Sequence, residues 1–284
     1  MLKRVYGYLT YDSGDDAPAE SAHLEKYGYC VIREALTKDE VQSLAKEIQA
    51  VFQSTPRDQR AGDQRPAEDD ECFRYEMLNR SALSQSTINH PRIRAILTPL
   101  LGRDFHVIAN TAWHNPSGQK SQQNGQGWHV DAGPHIPLAE DMSWPVDIPH
   151  PVFAVGAHIY LQDCNLEDGP TGVIPGSHVS GRFPTPGREM DAELTYNDQG
   201  VEPLLAKAGD IAMFVSDIWH RRMPTLDGEQ GRFFLQAHYG RRDIAQRLRT
   251  SDQSNQLSPA AIERAKSKEE KAIIGLHRPM FYDG

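Results

Sequence analysis

The chain has 284 residues, of which 38% are hydrophobic and 24% are charged, and its formal net charge is −9. This composition is typical of a soluble globular protein that is large enough to bury a sizeable core. The negative charge argues against nucleic acid and anionic membrane surfaces as partners, because both require a basic face. No apolar segment reaches the length of a membrane span, and the first residues lack the apolar stretch of a signal peptide.

The three cysteines indicate a reducing environment. Cys30, Cys72 and Cys164 lie far apart in the sequence and form neither a zinc-binding spacing nor a disulfide framework. We therefore expect buried, reduced thiols and a cytoplasmic protein. The sequence leaves the oligomeric state open, a homodimer included.

Helices are predicted in the first third of the chain. An amphipathic helix is predicted over residues 37–52, where Thr37 and Glu40 form a capping box at its start. A second helix is predicted to begin near Pro91. Between them, the polar segment 54–71 contains two prolines and a glycine, and it is predicted to be a loop, either a solvated connector or an active-site lid.

From Phe105 onward the pattern changes to short β-like segments separated by Gly, Pro, Asn and Asp. Strands are predicted over residues 105–113, 126–131, 152–162, 171–174, 210–216 and 232–239. Residues 132–151 contain five prolines and are predicted to form an ordered excursion, and residues 258–274 a late polar helix. Helices followed by many short strands indicate a mainly β fold, a barrel or sandwich with flanking helices outside it.

His129, Asp131 and His220 are candidate metal ligands. Residues i and i+2 of a strand point to the same face, so His129 and Asp131 would present an imidazole and a carboxylate side by side. His220 can add a second imidazole from a neighbouring strand. Two histidines and one carboxylate leave other coordination positions open, as an oxygen-activating iron(II) site requires, although zinc could bind the same ligands.

The segments around these three residues resemble the phytanoyl-CoA dioxygenase family of iron(II)- and 2-oxoglutarate-dependent oxygenases. In chain order, the resemblance rests on residues 27–37, the triplet His129-Val130-Asp131, residues 168–178, and residues 209–214 before His220. It covers roughly residues 20 to 242. The family implies a double-stranded β-helix, or jelly-roll, core.

The resemblance also implies a domain organisation. We expect a single domain over residues 1–284. Its N-terminal helical part would end at about residue 104, its β-helix core would span about 105–242, and a C-terminal helical tail would cover about 243–284.

Arg232 is the candidate for binding the far carboxylate of the co-substrate 2-oxoglutarate. The family places an arginine shortly after the second histidine, and a guanidinium can bind a carboxylate bidentately. The apolar residues that follow Arg232 imply a buried strand, where an unpaired charge would be costly. A structural salt bridge is the alternative. Arg221 and Arg222 compete less well, because they directly follow His220 and have no room to reach the far end of the co-substrate.

Three further residues are candidates for contact with 2-oxoglutarate. Gln126 and Thr171 resemble residues that hydrogen-bond the co-substrate in small-molecule-tailoring members of the family, with an ordinary strand role as the alternative. His158 stands where relatives often carry a tryptophan near the co-substrate. This departure allows His158 to face the pocket instead.

Together these features predict an enzyme that uses iron(II), 2-oxoglutarate and O₂ to oxidise an unactivated C–H bond, with release of succinate and CO₂. Hydroxylation is the simplest outcome, while desaturation, cyclisation and epimerisation stay open. Asp131 argues against halogenation, because halogenating relatives replace this carboxylate with a small residue.

The substrate is expected to be a small, largely apolar metabolite, because the combination of Gln126, Thr171 and Arg232 most resembles members that tailor secondary metabolites. The alternatives are an acyl-CoA hydroxylase, a cupin-type metal isomerase, a dioxygenase that does not use 2-oxoglutarate, and a non-catalytic binding protein.

Overall fold

The structure is a computed structural model, and it describes residues 17–55, 72–119, 123–131, 133–184, 186–244, 246 and 257–277. The helices are α1 (Ala19–Tyr27), α2 (Lys38–Ser54), α3 (Met77–Arg80), α4 (Ala82–Thr87), α5 (Pro91–Leu101), α6 (Pro259–Arg264) and α7 (Lys268–Ile273). The strands are β1 (Tyr29–Ile32), β2 (Phe73–Tyr75), β3 (His106–Asn115), β4 (Ala154–Tyr160), β5 (Thr171–Val173), β6 (Glu202–Pro203), β7 (Ile211–Val215), β8 (His220–Arg222) and β9 (Arg232–Gly240). None of the described helices is both long enough and apolar enough to cross a membrane.

Two antiparallel sheets form the β core. The larger has six strands in the order β1-β7-β4-β9-β3-β2, and the smaller has three in the order β6-β5-β8. The segment before Asp131 extends the smaller sheet, because His129 pairs with His220 of β8. A four-residue turn after β7 carries the chain from the larger sheet into β8 of the smaller one. This architecture confirms the double-stranded β-helix that was expected.

Along the strands of the larger sheet, side chains point alternately to its two faces, and each face carries its own apolar cluster. Outward-pointing residues such as Val155 and Leu235 pack in one cluster with Ile48 of α2 and Leu97 of α5. Inward-pointing residues, among them Phe214 and Phe234, face the smaller sheet in a second cluster. The helices therefore cover the outer face of the larger sheet, and the space between the sheets is left for the site.

The two predicted N-terminal helices are confirmed. In α2, the Glu40 backbone N–H donates to the Thr37 hydroxyl at 3.3 Å, and the Thr37 N–H donates to the Glu40 carboxylate at 2.7 Å. The helix α5 begins at Pro91. The predicted loop 54–71 falls almost entirely on residues 56–71, which lie outside the described residues.

The late helix was predicted incorrectly as one polar element. Residues 258–274 form two short helices, because Ser267 starts a new capping box with Glu270 three residues later. Nor is the segment only polar, since Ala261 and Ile273 are buried in the main apolar cluster.

Five of the six predicted strands agree with the structure to within two residues at each end, and residues 133–151 contain neither helix nor strand, as expected. The predicted strand 126–131 was wrong as a regular strand. It makes one isolated bridge at His129 and leaves the sheet at Asp131, whose N–H donates to the Ser216 carbonyl at 3.1 Å. Strands β1, β2 and β6 were not predicted, and β8 was expected only as a neighbouring strand that carries His220, because two to four residues are too few to display a period of two.

The turn after β5 fastens the smaller sheet to α1. Gly176 adopts a left-handed conformation at φ 79°, and the Ser177 hydroxyl accepts the Trp219 backbone N–H at 2.8 Å. His178 Nε2 donates to the Glu25 carbonyl at 2.9 Å. This histidine is buried and holds the two elements together.

Candidate metal centre

The structure brings His129, Asp131 and His220 together between the two sheets. Asp131 Oδ1 lies 3.8 Å from His129 Nε2 and 3.5 Å from His220 Nε2. One potential ligand atom from each of the three residues lies within 4.8 Å of the other two, and no other group of His, Cys, Asp or Glu in the described ranges meets this condition. The side chains of His129 and Asp131 are 39% and 25% exposed but that of His220 only 6%, so the centre opens on the side of His129.

Backbone carbonyls fix which nitrogen of each histidine faces the centre. His129 Nδ1 lies 2.8 Å from the Gly127 carbonyl, and His220 Nδ1 lies 2.9 Å from the Ile218 carbonyl. Because a carbonyl oxygen only accepts, each Nδ1 carries a proton, so the lone pair of the neutral imidazole lies on Nε2. A second partner of this kind is what orients metal-ligating histidines in proteins.

The charges of the three side chains influence one another's protonation. Burial alone would raise the pKa of Asp131, but the imidazoles of His220, His238 and His129 outweigh it and hold that pKa well below its usual range. Burial lowers the pKa of His129. For His220, burial acts in the same direction, but the Asp131 carboxylate outweighs it and raises the pKa. Metal binding at these ligands would therefore displace a proton.

The turn at residues 216–217 anchors the chain on both sides of the Asp131 carboxylate. The Ser216 carbonyl accepts the Asp131 N–H, and the buried Asp217 carboxylate accepts the His135 backbone N–H at 2.6 Å. The second Asp217 oxygen lies 2.8 Å from His135 Nδ1. A Cβ at Gly133 would clash with this carboxylate, so the chain can approach it only without a side chain. His135 is thus a structural partner of Asp217 in a clamp behind Asp131.

Arg232 lies deeper in the same interior, at the start of β9. Its side chain is only 7% exposed and stacks 5.5 Å from the centre of the Phe234 ring. Burial lowers its pKa, although a guanidinium remains charged. In the described part of the chain, Arg232 makes no hydrogen bond and no ion pair. A buried cation without an anion is unfavourable, so this position is suited to an anionic ligand.

Asn115 faces Arg232 across the β3–β9 pair and was missed by the sequence analysis. The two residues are in register, Asn115 is 4% exposed, and neither of its side-chain polar atoms has a hydrogen-bond partner among the described residues. A buried amide that lacks partners adds to the polar, unsatisfied character of this end of the barrel. Its sequence signal was weak, because a single asparagine before a proline is also typical of a turn.

Thr171 and His158 also lie in the interior. The Thr171 hydroxyl is 3.3 Å from His158 Nδ1, and the ring of His158 packs 4.5 Å from that of Phe234. Burial, with the nearby Arg232 charge second, lowers the pKa of His158 to about 3, so the imidazole is neutral. Gln126 is different: it is exposed, its backbone N–H donates to the Arg222 carbonyl, and its side chain makes no hydrogen bond in the ranges that the structure describes.

His238 and Arg222 also face the interior, because side chains alternate between the two faces of a strand. His238 on β9 has its Nδ1 3.7 Å from Asp131 Oδ2, and its Nε2 is hydrogen-bonded to the Ser216 hydroxyl. Its even spacing from Arg232 on one strand could have revealed it. Arg222 lies two residues after His220 on β8 and pairs in register with Thr171, so it too faces the interior.

Gln236 is a partly exposed polar residue on β9, between Arg232 and His238. The side-chain oxygen of Gln236 accepts the Trp113 indole N–H at 2.8 Å and the Thr111 hydroxyl at 3.1 Å. Because indole only donates, the amide oxygen must face it and the amide NH₂ points away. Trp113 also stacks on Phe234 at 6.5 Å between ring centres, which makes an aromatic wall on this side.

Solved structures with a similar fold include three proteins at low sequence identity. EctD from S. alaskensis in its apoform is 18% identical, with a TM-score of 0.63 over 98% of this chain and 89% of that one. The epimerase SnoN in complex with Fe³⁺, alpha-ketoglutarate and nogalamycin RO is 18% identical, with a TM-score of 0.57 over 78% of this chain and 82% of that one. HygX from Streptomyces hygroscopicus with nickel and 2-oxoglutarate bound is 16% identical, with a TM-score of 0.57 over 80% and 88%.

The family is shown by a match of the sequence itself. The model of the phytanoyl-CoA dioxygenase (PhyH) family matches residues 24–223, which is well over half of the chain and includes all three candidate metal ligands. The match agrees with the double-stranded β-helix fold and with the cluster of two imidazoles and one carboxylate. This protein therefore belongs to the phytanoyl-CoA dioxygenase family of 2-oxoglutarate-dependent non-haem iron enzymes.

Proposed function

We propose that this protein is a dioxygenase that uses iron(II), 2-oxoglutarate and O₂ to hydroxylate an unactivated C–H bond of a small, largely apolar metabolite, with release of succinate and CO₂. The observation that carries the proposal is the pairing of two features in one barrel. One is the cluster of His129, Asp131 and His220, and the other is the buried Arg232 without an anionic partner in the described chain.

The donor set fits iron(II). His129 and His220 would hold the metal through Nε2, and Asp131 through a carboxylate oxygen, which leaves open positions for other ligands. When bound, iron with its co-substrate supplies the oxidising chemistry, which side chains alone cannot provide. The presence of Asp131 supports oxygenation over halogenation, because a carboxylate occupies the position that a halide would need.

Arg232 would bind the far carboxylate of 2-oxoglutarate. A guanidinium binds a carboxylate through two parallel hydrogen bonds, and the ligand would supply the anion that the buried arginine lacks. We assign the Thr171 hydroxyl and the Gln126 amide as hydrogen-bond partners of the co-substrate and the neutral His158 as a wall of its pocket. The rings of Phe214 and Phe234 pack against His158, and that of Phe234 against Arg232, which would exclude water from this end of the pocket.

The substrate would approach from the side on which His129 is exposed. Trp113 and Gln236 on the larger sheet are partly exposed and would offer an aromatic face and an amide donor. Residues 133–151, which contain no regular secondary structure, supply a loop of the kind that carries specificity on a rigid barrel. These features support a small substrate with a largely apolar surface, and the net charge of −9 disfavours an acyl-CoA thioester.

One alternative has an observation in its favour. His238 brings a third imidazole to within 3.7 Å of Asp131 Oδ2. If it were a fourth ligand, the site would suit a cupin-type metal enzyme that does not use 2-oxoglutarate, and Arg232 would then have no role in binding a co-substrate.

The test is an anaerobic titration of the apoprotein with iron(II) and 2-oxoglutarate, followed by visible absorption. We expect a weak charge-transfer band that requires both components, and a 2-oxoglutarate affinity that Arg232→Ala reduces. The control variant is Arg241→Ala, which removes an equal charge from an arginine that pairs with Asp243. Tight metal binding with no band and no 2-oxoglutarate binding would reject the proposal in favour of the cupin-type alternative.

A substrate screen then follows succinate release. The panel contains polycyclic ketones, terpenoid alcohols and acyl-CoA thioesters. We expect stimulation by the first two classes, and stimulation by the thioesters alone would contradict the proposed substrate class.

A further inference from the structure

The two oxygens of the Asp131 carboxylate have different neighbours. Oδ1 is the oxygen near the Nε2 atoms of His129 and His220, at 3.8 and 3.5 Å. Oδ2 faces the Nδ1 atom of His238, at 3.7 Å. One oxygen is thus turned toward the candidate metal position, and the other toward a third imidazole.

The other ring nitrogen of His238 is already engaged. The Ser216 hydroxyl is hydrogen-bonded to His238 Nε2, and both side chains are buried. At 3.7 Å the contact between Nδ1 and Asp131 Oδ2 is longer than a hydrogen bond, but the carboxylate charge favours the tautomer with the proton on Nδ1, in which Nε2 accepts from the serine hydroxyl. A neutral imidazole satisfies both neighbours in this tautomer.

Ser216 also fixes Asp131 through the backbone. Its carbonyl accepts the Asp131 N–H at 3.1 Å, while its hydroxyl orients His238, which faces the Asp131 carboxylate. Asp131, Ser216 and His238 therefore form a closed ring of interactions. Such a ring determines both where the carboxylate lies and how it is rotated.

We propose that His238 is a positioning residue that holds Asp131 Oδ2 through its Nδ1–H and so keeps Asp131 a one-oxygen metal ligand. This inference rests on the proposed function. A carboxylate that bound through both oxygens would occupy a further coordination position. The metal would then have fewer open positions for the two oxygens through which 2-oxoglutarate chelates it.

Two isosteric substitutions separate the two nitrogens of His238. In His238→Asn, the amide nitrogen replaces Nδ1, so the donor to Asp131 is kept and the contact with Ser216 is lost. In His238→Gln, the amide reaches the position of Nε2, so the contact with Ser216 is kept and the donor to Asp131 is lost. The matched control for loss of a buried histidine is His106→Asn, because His106 of β3 bonds to His277 and the Ile244 carbonyl instead.

The measurements are anaerobic calorimetry of Co(II) and of 2-oxoglutarate, together with the visible d–d spectrum of the Co(II)-loaded protein. For His238→Asn we expect wild-type values within about threefold. For His238→Gln we expect Co(II) affinity to be retained, 2-oxoglutarate affinity to fall by about 10- to 100-fold, and the d–d bands to weaken as the coordination number rises. His106→Asn lowers the melting temperature and leaves all three measurements unchanged.

Three outcomes would overturn the inference. Equal loss of Co(II) affinity in the Asn and Gln variants would make His238 a metal ligand. Wild-type values for both variants would show that His238 does not position Asp131. Equal loss of every property, in proportion to the melting temperature, would make it a packing residue only. Failure of the proposed function is distinguishable from all three, because the wild-type protein would then show no 2-oxoglutarate binding before any variant is compared.

Discussion

The two faces of the larger sheet differ in the kind of contacts that their side chains make. One face packs apolar side chains against the helices, and the other presents polar and charged side chains to the interior of the barrel. On β9, the odd-numbered residues Phe233, Leu235, Ala237 and Tyr239 lie in the apolar cluster that includes the helices. The even-numbered Arg232 and His238 point into the barrel, where Arg232 makes no ion pair with the described residues and His238 faces a carboxylate. One strand thus contributes stability through one face and chemistry through the other, and substitutions on the two faces should have opposite consequences.

The largest effect is expected for Asp131→Ala. Removing the carboxylate leaves two imidazoles, so iron affinity and 2-oxoglutarate-dependent turnover should be abolished while the melting temperature changes little, because the side chain is 25% exposed. Metal binding, succinate release and thermal unfolding of the same preparation check this. Undiminished, 2-oxoglutarate-dependent turnover in this variant would contradict the assignment of the metal ligands.

Substitutions of Arg232 should separate stability from function most clearly. Losing one partner of a buried ionic contact costs about 2–5 kcal/mol of binding free energy, so Arg232→Met should weaken 2-oxoglutarate binding by about 30-fold or more. The same variant should raise the free energy of unfolding of the ligand-free protein by about 1–4 kcal/mol, because a buried charge is replaced by an apolar side chain of similar volume. Calorimetry and urea unfolding measure the two quantities. A destabilised apoprotein would mean that Arg232 has a structural partner.

Leu235→Ala tests the outward face of the same strand. Leu235 is fully buried among the helices, so its truncation should lower the free energy of unfolding by about 2–5 kcal/mol. The 2-oxoglutarate affinity of the folded fraction should be unchanged, as measured by calorimetry well below the melting temperature. A parallel loss of affinity would show that the two faces are not independent.

The effect that is confined to acidic pH concerns His178, which lies outside both faces. Burial lowers its pKa to about 4, against 6.5 in the unfolded chain, so the native state binds fewer protons between these values. Its contribution to stability is present above pH 6.5 and is lost as the pH falls towards 4, by about 3 kcal/mol in total. His178→Gln keeps a donor for the Glu25 carbonyl but cannot titrate. Urea unfolding from pH 7 to 4 should therefore show a shallower decline for this variant than for the wild-type chain, and parallel declines would refute the assignment.

The sequence predicted the structure correctly where a residue pattern is compatible with one kind of structure only. The alternation from Phe233 to Tyr239 indicated a buried strand, and the i, i+2 spacing of His129 and Asp131 placed both side chains on one side even though that segment is not a regular strand. His238 and Asn115 were missed because a single polar residue in a strand has no distinctive pattern. Their importance depends on Asp131 and Arg232, which approach them only through the fold. The late helix was predicted as continuous because the second capping box, formed by Ser267 and Glu270, was not recognised.

The clamp between His135 and Asp217 sets a boundary for exchanging the specificity loop. His135 belongs by sequence to the proline-rich excursion, yet its contacts with Asp217 tie it to the turn that holds the Asp131 backbone. A chimaera that replaces residues 132–151 as a block would therefore disturb the backbone at Asp131, a proposed iron ligand, together with the proposed substrate pocket. A graft that begins after His135 would change only the pocket. The segment that can be exchanged between relatives is thus shorter than residues 132–151. It begins after His135, because this histidine belongs to the structural framework of the site.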